Sequence, residues 1–285
     1  DVLGPALFMA DQLGELGVQE VCALSAVRGA ISNPTGLAAT TTPYLVLEEQ
    51  EGVDLSPCPP GDIMHGIRAN MALFQRLPAS ARDFVDRFDP HGDARVIGPI
   101  FDDGASVQGR SKFGARHESW QKLEDKVVID ALWDEIGVKR APSVNVPLCV
   151  DALTEAHASF ARNGEGSVFA LDNSHGFHGG ASGTRWITQE AMIRAFVEEF
   201  AIPGHTSQWV RVMPFLDGIP CSIHGIVFPE HVLALRPCEM LIYRSRQRGR
   251  FLYAGSSNHW VAPEKDTSAM RDMVRRVGAF LREHH

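Results

Sequence analysis

Apolar and polar positions alternate along this chain with a period that changes several times. Ala6–Gly17 places apolar residues at helical spacing and closes on a glycine, and Val18–Ser25 is a short apolar run that predicts a buried strand. The strand-like run Tyr44–Glu49 follows, then an irregular connection with three prolines across residues 51–62, then a helical pattern over Asp62–Leu77 started by its aspartate cap. Asp93–Asp103 reads as a further strand, and strands alternating with helices favour a parallel, doubly wound arrangement for this first region.

A second region opens near Trp120. Apolar residues at 120, 123, 127, 128, 132, 133 and 136 form one helical stripe that Gly137 ends. A helix over Asp151–Arg162, a strand over Ser167–Asp172, a glycine-rich loop and a helix over Thr188–Phe200, capped by Thr188, come next. The remainder is strand-rich. Trp209–Leu216, Cys221–Phe228, His231–Pro237 and Arg250–Gly255 are short runs between turn signals, and a long amphipathic helix follows to the last residue. The chain opens on Asp1 rather than Met and stops within that helix, which points to a processed or truncated N-terminus and an incomplete C-terminus.

Composition narrows the function classes. The net charge of −8 argues against a nucleic-acid groove, and the chain has no apolar run long enough to span a membrane. The five cysteines (22, 58, 149, 221, 238) are scattered without a C-x-x-C pair, so they read as reduced thiols of a cytoplasmic protein. Only five lysines stand against 22 arginines, so each lysine is easy to weigh.

The chemistry-bearing candidates are few. "NSHGFHGGASGTRW" (173–186) places Gly176, Gly179, Gly180 and Gly183 between a strand and a helix, where free amides can converge on a phosphate. It lacks the P-loop's closing lysine and is not the dinucleotide fingerprint, and an idle hairpin tip is the competing reading. His175 and His178 alone are too few for a zinc site. Lys126 is either a phosphate ligand or an i,i+4 partner of Asp130 on a solvated face. Arg236, Arg244, Arg246, Arg248 and Arg250 surround a turn; most belong to a solvated tip, while one or two could clamp a triphosphate or a carboxylate. Glu239 could pair with one of them or assist a metal, and His224 reads as a core histidine within a strand.

The order of these parts resembles the ATP-grasp superfamily of carboxylate–amine ligases. The resemblance rests on "LEDKVVIDALWDEIGVKRAPS", then "VFALDNSHGFHGGASG", then "WVRVMPFLDGIPCSI", and spans about residues 119–260. A weaker likeness, through "RPCEM" and "FLYAGSSNHWVAP", is to actinobacterial-type ligases of peptide-like natural products. The resemblance implies a mixed α/β and α+β fold, two α+β subdomains clasping ATP behind an α/β domain. It divides the chain at 1–118, 119–208 and 209–285, with a metal-binding part expected beyond the last helix. It implies ATP and Mg²⁺ as cofactors and an acyl phosphate formed from a small carboxylate and captured by an amine, in a soluble, cytoplasmic enzyme. No nucleic-acid or membrane partner is expected, and a homodimer is the assembly considered.

Carried over position by position, Lys126 would touch ATP phosphates and Gly176, Gly179, Gly180 and Gly183 would form a lid over them. The backbone around Met213, Pro214, Phe215 and Leu216 would receive the adenine edge, and Asp217 the ribose. Arg236, Arg244 and Glu239 are the candidates for catalysis; the metal ligands are unknown. The family's usual lysine on the strand before the glycine loop is missing, with Ala170 and Leu171 in its place, and Arg185 is the candidate to replace its charge. Met213 replaces the hinge acid, and Pro220 stands where a glutamate often follows. These departures keep a second reading open, a catalytically inactive nucleotide-binding or scaffold protein. A third is a metal hydrolase built on His175 and His178.

Overall fold

The computed structural model describes residues 3–28, 40–53, 63–98, 106–114, 118–161, 164–174, 178, 181–203 and 208–284. The chain divides into two units, Asp1–Arg116 and His117–His285.

In the first unit, α1 (Leu3–Glu15) lies on a parallel pair of strands, β1 (Ala23–Ser25) and β2 (Tyr44–Val46). Its buried stripe, Leu3 and Leu7, meets Ala23 and Val46. Two further helices, α2 (Ile63–Gln75) and α3 (Ala79–Phe88), close a second small core around Phe74, Leu77, Ala81 and Val107. β3 (Val96–Ile97) runs parallel to β5 (Arg110–Phe113), and β4 (Ser106–Val107) pairs antiparallel with β5. Parallel pairing is thus present among the described residues as two separate pairs rather than as one doubly wound sheet. Arg110, nearly buried, is held by Asp89 at 2.5 Å and by Asp86 at 3.1 Å.

Cys22 lies close to that ion pair, and burial pushes its thiol up to about 11. Because the thiolate is the nucleophile, Cys22 is expected to resist iodoacetamide at pH 8.5 in the native protein while the exposed Cys149 reacts. Peptide mapping after a short pulse checks this; equal labelling of the two would refute it.

The second unit holds a four-stranded antiparallel sheet in the order β6 (Val144–Pro147), β9 (Trp209–Pro214), β7 (Ser167–Leu171), β8 (Thr184–Ile187). Two helices, α6 (Val150–Phe160) and α7 (Ala191–Phe200), cover one face. The core between them is Leu153, Phe169, Leu171, Ile187, Ile193, Phe196, Val210 and Val212. Strand alternation sends Val168, Ala170, Trp186, Arg211 and Met213 to the other face. A second antiparallel sheet, β10 (Cys221–Ser222), β13 (Cys238–Ser245) and β14 (Arg250–Ser257), and a hairpin, β11 (Gly225–Val227) and β12 (Val232–Ala234), complete the unit. The closing helix α8 (Glu264–His284) packs on that hairpin.

Several expectations change. The helix predicted from Trp120 to Gly137 is broken into a short helix α4 (Glu118–Gln121), a 3-10 turn at Lys122–Glu124 and a helix α5 (Ile129–Glu135). The cause is Asp125, whose carboxylate accepts the Val127 N–H at 2.9 Å and diverts the backbone from its helical bonds. Lys126 therefore sits in a turn. The glycine loop runs from strand β7 to strand β8, not from a strand to a helix, and α7 begins only at Ala191 with Glu190 rather than Thr188 as its cap. β9, expected to open the third domain at residue 209, instead lies inside the four-stranded sheet, so the break between the sheets falls after Pro214. The expected strand 221–228 is split between two sheets, and His224, in the gap, is exposed rather than a core residue.

Candidate functional site

The hinge where β9 leaves its sheet forms one wall of a cavity of about 400 Å³. Val168 and Met213 contribute from the first sheet, Phe215–Pro220 from the crossing, and Ile242, Arg244 and Phe251 from the second. The floor is largely apolar because alternate positions on β7 and β9 present Val168 and Met213 here while their neighbours Phe169 and Val212 enter the core. Phe215 is clamped: its ring stacks on Trp186 at 4.2 Å, and the Arg244 guanidinium lies 5.5 Å from its centroid. Its N–H donates to the Gly166 carbonyl at 3.3 Å. Pro214 has no N–H, so Leu216 is the first hinge residue whose main-chain donor has no partner among the described residues and can face a ligand.

Arg244 donates to the Asp217 carboxylate at 2.8 Å and to the Gly218 carbonyl at 2.7 Å. That bond, with the Gly218 N–H, holds the Asp217 carboxyl below its ordinary range. Two further arginines of the β13–β14 turn fold back onto the first sheet. Arg246 reaches the Gly164 carbonyl and lies over the Trp186 ring, and Arg250 meets Glu199 at 3.1 Å. The Trp186 N–H donates to the Gly249 carbonyl at 2.8 Å. Gly249 has φ +60°, and a Cβ there would lie 2.6 Å from the Trp186 carbonyl, so only glycine lets the hairpin tip approach this closely.

Further along the same face lies the row Asn145, Arg211, Ala170, Thr184, directly paired across the four strands. It stands two residues, about 7 Å, beyond the Val168–Met213 row in the direction of the glycine loop. Lys126 is delivered to this row by its turn. Asn145 donates to the Val127 carbonyl at 2.8 Å, while Asp125 accepts the Asn173 N–H at 3.2 Å, tying the turn to the start of the glycine loop. Arg211 grips Asp130, with Nε 2.8 Å from Oδ2 and Nη2 2.6 Å from Oδ1. Asp130 also accepts the Ser143 hydroxyl and has Arg140 at 3.6 Å, so it is not the partner of Lys126. Burial, then the neighbouring Arg211, lowers the Lys126 ammonium from its ordinary value, with Asp125 opposing.

The structure thus gathers Met213, Phe215, Leu216, Asp217 and Arg244 around the cavity and sets Lys126 beside Arg211. Arg185 does not join them. It pairs in register with Phe169, on the helix-covered face, where it holds Glu199 at 2.5 Å and lies over Phe200. Arg236 is exposed and bonded to the Asn258 carbonyl. Glu239 alternates with Ile242 and Arg244 along β13 and takes the other face. Gly183 is occupied differently from expectation: a Cβ there would lie 2.7 Å from the His178 ring, so this glycine makes room for an imidazole. Gly176, Gly179, Gly180 and His175 lie outside the described residues. Among the described residues no three His, Cys, Asp or Glu side chains gather to hold a metal, so those residues do not fit a Mg²⁺ cage of their own.

Arg211, Trp186, Ile242 and Phe251 were not singled out from the sequence. The signal for Arg211 was present in "VRVM", where valines at 210 and 212 mark the buried face and put Arg211 on the other.

No protein-family model matches the sequence, and no curated protein matches it. Among solved structures the chain is similar to phosphoribosylamine–glycine ligase from Thermotoga maritima, at a TM-score of 0.52 and 16% identity over 73% of this chain and 51% of that one. It is also similar to carboxyaminoimidazole ribonucleotide synthase from Aspergillus clavatus complexed with ATP (TM-score 0.47, 12% identity, 98% and 62% covered). A third is D-alanyl-alanine synthetase A from Vibrio cholerae (0.45, 14%, 66% and 59%). The chain spans between half and just over three-fifths of the length of these structures. The Thermotoga likeness carries the assignment of fold: a mixed α/β chain with the ATP-grasp fold.

Proposed function

We propose that the hinge cavity is an ATP site, and that the chain activates a small carboxylate as its acyl phosphate for capture by an amine. The observation that carries this is the alignment on one sheet face of an apolar, base-sized cavity with Arg211 one row, about 7 Å, further on, and Lys126 as the neighbour of Arg211. Adenine would slide between Val168, Met213 and Phe251, its edge against the Met213–Leu216 backbone, with the Leu216 N–H as donor and the Pro214 carbonyl as acceptor. The ribose would lie at the Asp217–Arg244 pair. The phosphates would then run along β7 over Ala170 towards the glycine loop, with Lys126 beside them. Phosphoryl transfer is mostly positioning and charge neutralisation, and this row supplies both. The described residues offer Mg²⁺ no cage of their own, and the ion, where the nucleotide brings it, would supply neutralisation of phosphate charge. Arg244 is the catalytic candidate that the cavity retains, and an amino acid or peptide-like amine is the acceptor we favour. The working compartment proposed is the cytoplasm.

Lys126→Ala is expected to weaken ATP binding tenfold or more, since losing a charged hydrogen bond costs on the order of 1.5–3 kcal/mol. Calorimetric titration reads it, and an unchanged Kd would remove Lys126 from the site. Incubation with ATP, Mg²⁺ and pooled amino acids should yield ADP and phosphate. AMP as the product would exclude an acyl-phosphate ligase.

The second reading, a nucleotide-binding chain without turnover, is favoured by Arg236 and Glu239 standing away from the cavity. It retains ATP binding in the titration and gives no ADP in the incubation.

A further inference from the structure

We propose that Arg211 is a phosphate-binding residue of the nucleotide site, acting as a pair with Lys126. The inference rests on the reading of the hinge cavity as a nucleotide site and adds to it a side chain of β9, two residues before Met213, for which the sequence suggested no ligand contact.

Three observations converge. The first is placement. Arg211 is directly opposite Ala170 across the β7–β9 ladder, on the face that holds the cavity and one row nearer the glycine loop. A ligand seated on Val168 and Met213 and extending along β7 must pass it. The second is donor geometry. The grip on Asp130 uses Nε and Nη2, which leaves Nη1 with no hydrogen bond among the described residues. The same grip fixes the guanidinium plane, since Asp130 is itself held by Ser143 at 2.5 Å and lies beside Arg140. A guanidinium locked on one edge and open on another is preorganised for an oxygen of a phosphoryl group.

The third is charge. Arg211 is close enough to disfavour the Lys126 charge, with Asp125 opposing by less, and the carboxylate that Arg211 grips is engaged by Ser143 and Arg140 as well. The turn that carries Lys126 is nonetheless pinned in place twice, through Asn145 to the Val127 carbonyl and through Asp125 to Asn173. A fold that fixes two like charges together in this way is relieved by an anion between them, and the chemistry they share is that of a phosphoryl oxygen.

The obvious variant, Arg211→Met, strands the nearly buried Asp130 and threatens the fold, so the test uses Asp130→Asn/Arg211→Met, which removes both charges together. ATP and adenosine are titrated into the unaltered chain and the double variant by calorimetry, with circular dichroism to confirm folding. The expected result is an ATP Kd raised tenfold or more and an adenosine Kd changed by less than twofold. The slope of log Kd for ATP against log salt should also become shallower by about one unit, as one cationic contact is lost. An unchanged ATP Kd with adenosine still bound overturns the role of Arg211 alone. Equal weakening of both ligands overturns it too, because it assigns Arg211 to holding the cavity together. If the unaltered chain binds neither ligand, the nucleotide reading itself falls, and this inference with it.

Discussion

Replacing Phe169 by alanine is expected to remove about 3–5 kcal/mol from the stability of the unit that carries the cavity. Phe169 is fully buried at the centre of the four-stranded sheet, and its ring meets Phe196 edge-on at 5.3 Å. Leu153, Val210 and Val212 surround it, anchored in strands and a helix that cannot all move inward to refill the space. All five tryptophans lie in residues 117–285, so a urea titration followed by tryptophan fluorescence reports this unit and not the first. A loss below about 1.5 kcal/mol would show that the core collapses freely around the gap. The chain neighbours of Phe169, Val168 and Ala170, face the cavity side, so whatever ligand occupies the cavity should bind more weakly in this variant as well.

Asp130→Ala is expected to cost a similar amount, about 3–5 kcal/mol, for a different reason. Asp130 is 8% exposed and its principal partner, Arg211, has a side chain only 11% exposed. Removing the carboxylate leaves a guanidinium mostly out of water with Lys126 as a cationic neighbour and nothing opposite in sign within its former grip. Asp130→Asn/Arg211→Met, which leaves no orphaned charge, should recover most of the loss, because replacing both members of a buried pair is often near neutral. The same fluorescence titration compares the two. If Asp130→Ala loses less than 1 kcal/mol, or the double variant is the less stable, the pair does not have the energetic standing given to it.

The parts of the fold legible in the sequence are those whose periodicity survives contact with their surroundings. The α6 helix and the apolar β7 run are buried where the sequence places them, α2 covers the helical pattern expected there, its Asp62 cap lying outside the described residues, and α1 follows its spacing but starts three residues earlier, at Leu3. What was not legible depends on pairing. "TRWI" is four residues long and looks like the tail of a loop until β7 is beside it. "CEMLIYRS" mixes charge and apolar side chains on a strand whose outer face, with Leu241 and Tyr243, is left exposed. The helix expected through Lys126 failed at one residue, Asp125, whose side chain competes for a backbone N–H that propensity assigns to the helix. At the site, the hinge was readable because Pro214, Asp217 and Gly218 punctuate a strand. The proposed substitute for the missing β7 lysine was not readable, since register decides that Arg211, and not Arg185, shares the face of the cavity.

The close approach of Gly249 to Trp186 bears on how the chain avoids its own copies. A sheet of four strands has two open margins, each a template on which another chain could extend it. On the β6 margin the strand ends in Pro147, which has no N–H to offer a newcomer. On the β8 margin the turn of the second sheet lies against Trp186, takes its N–H, and surrounds the place with Arg246 and Arg250. A strand trying to add there would have to displace a main-chain bond and an arginine seated on an indole. The turn that holds the two sheets together is in this way also the stopper on an edge that would otherwise recruit aggregates.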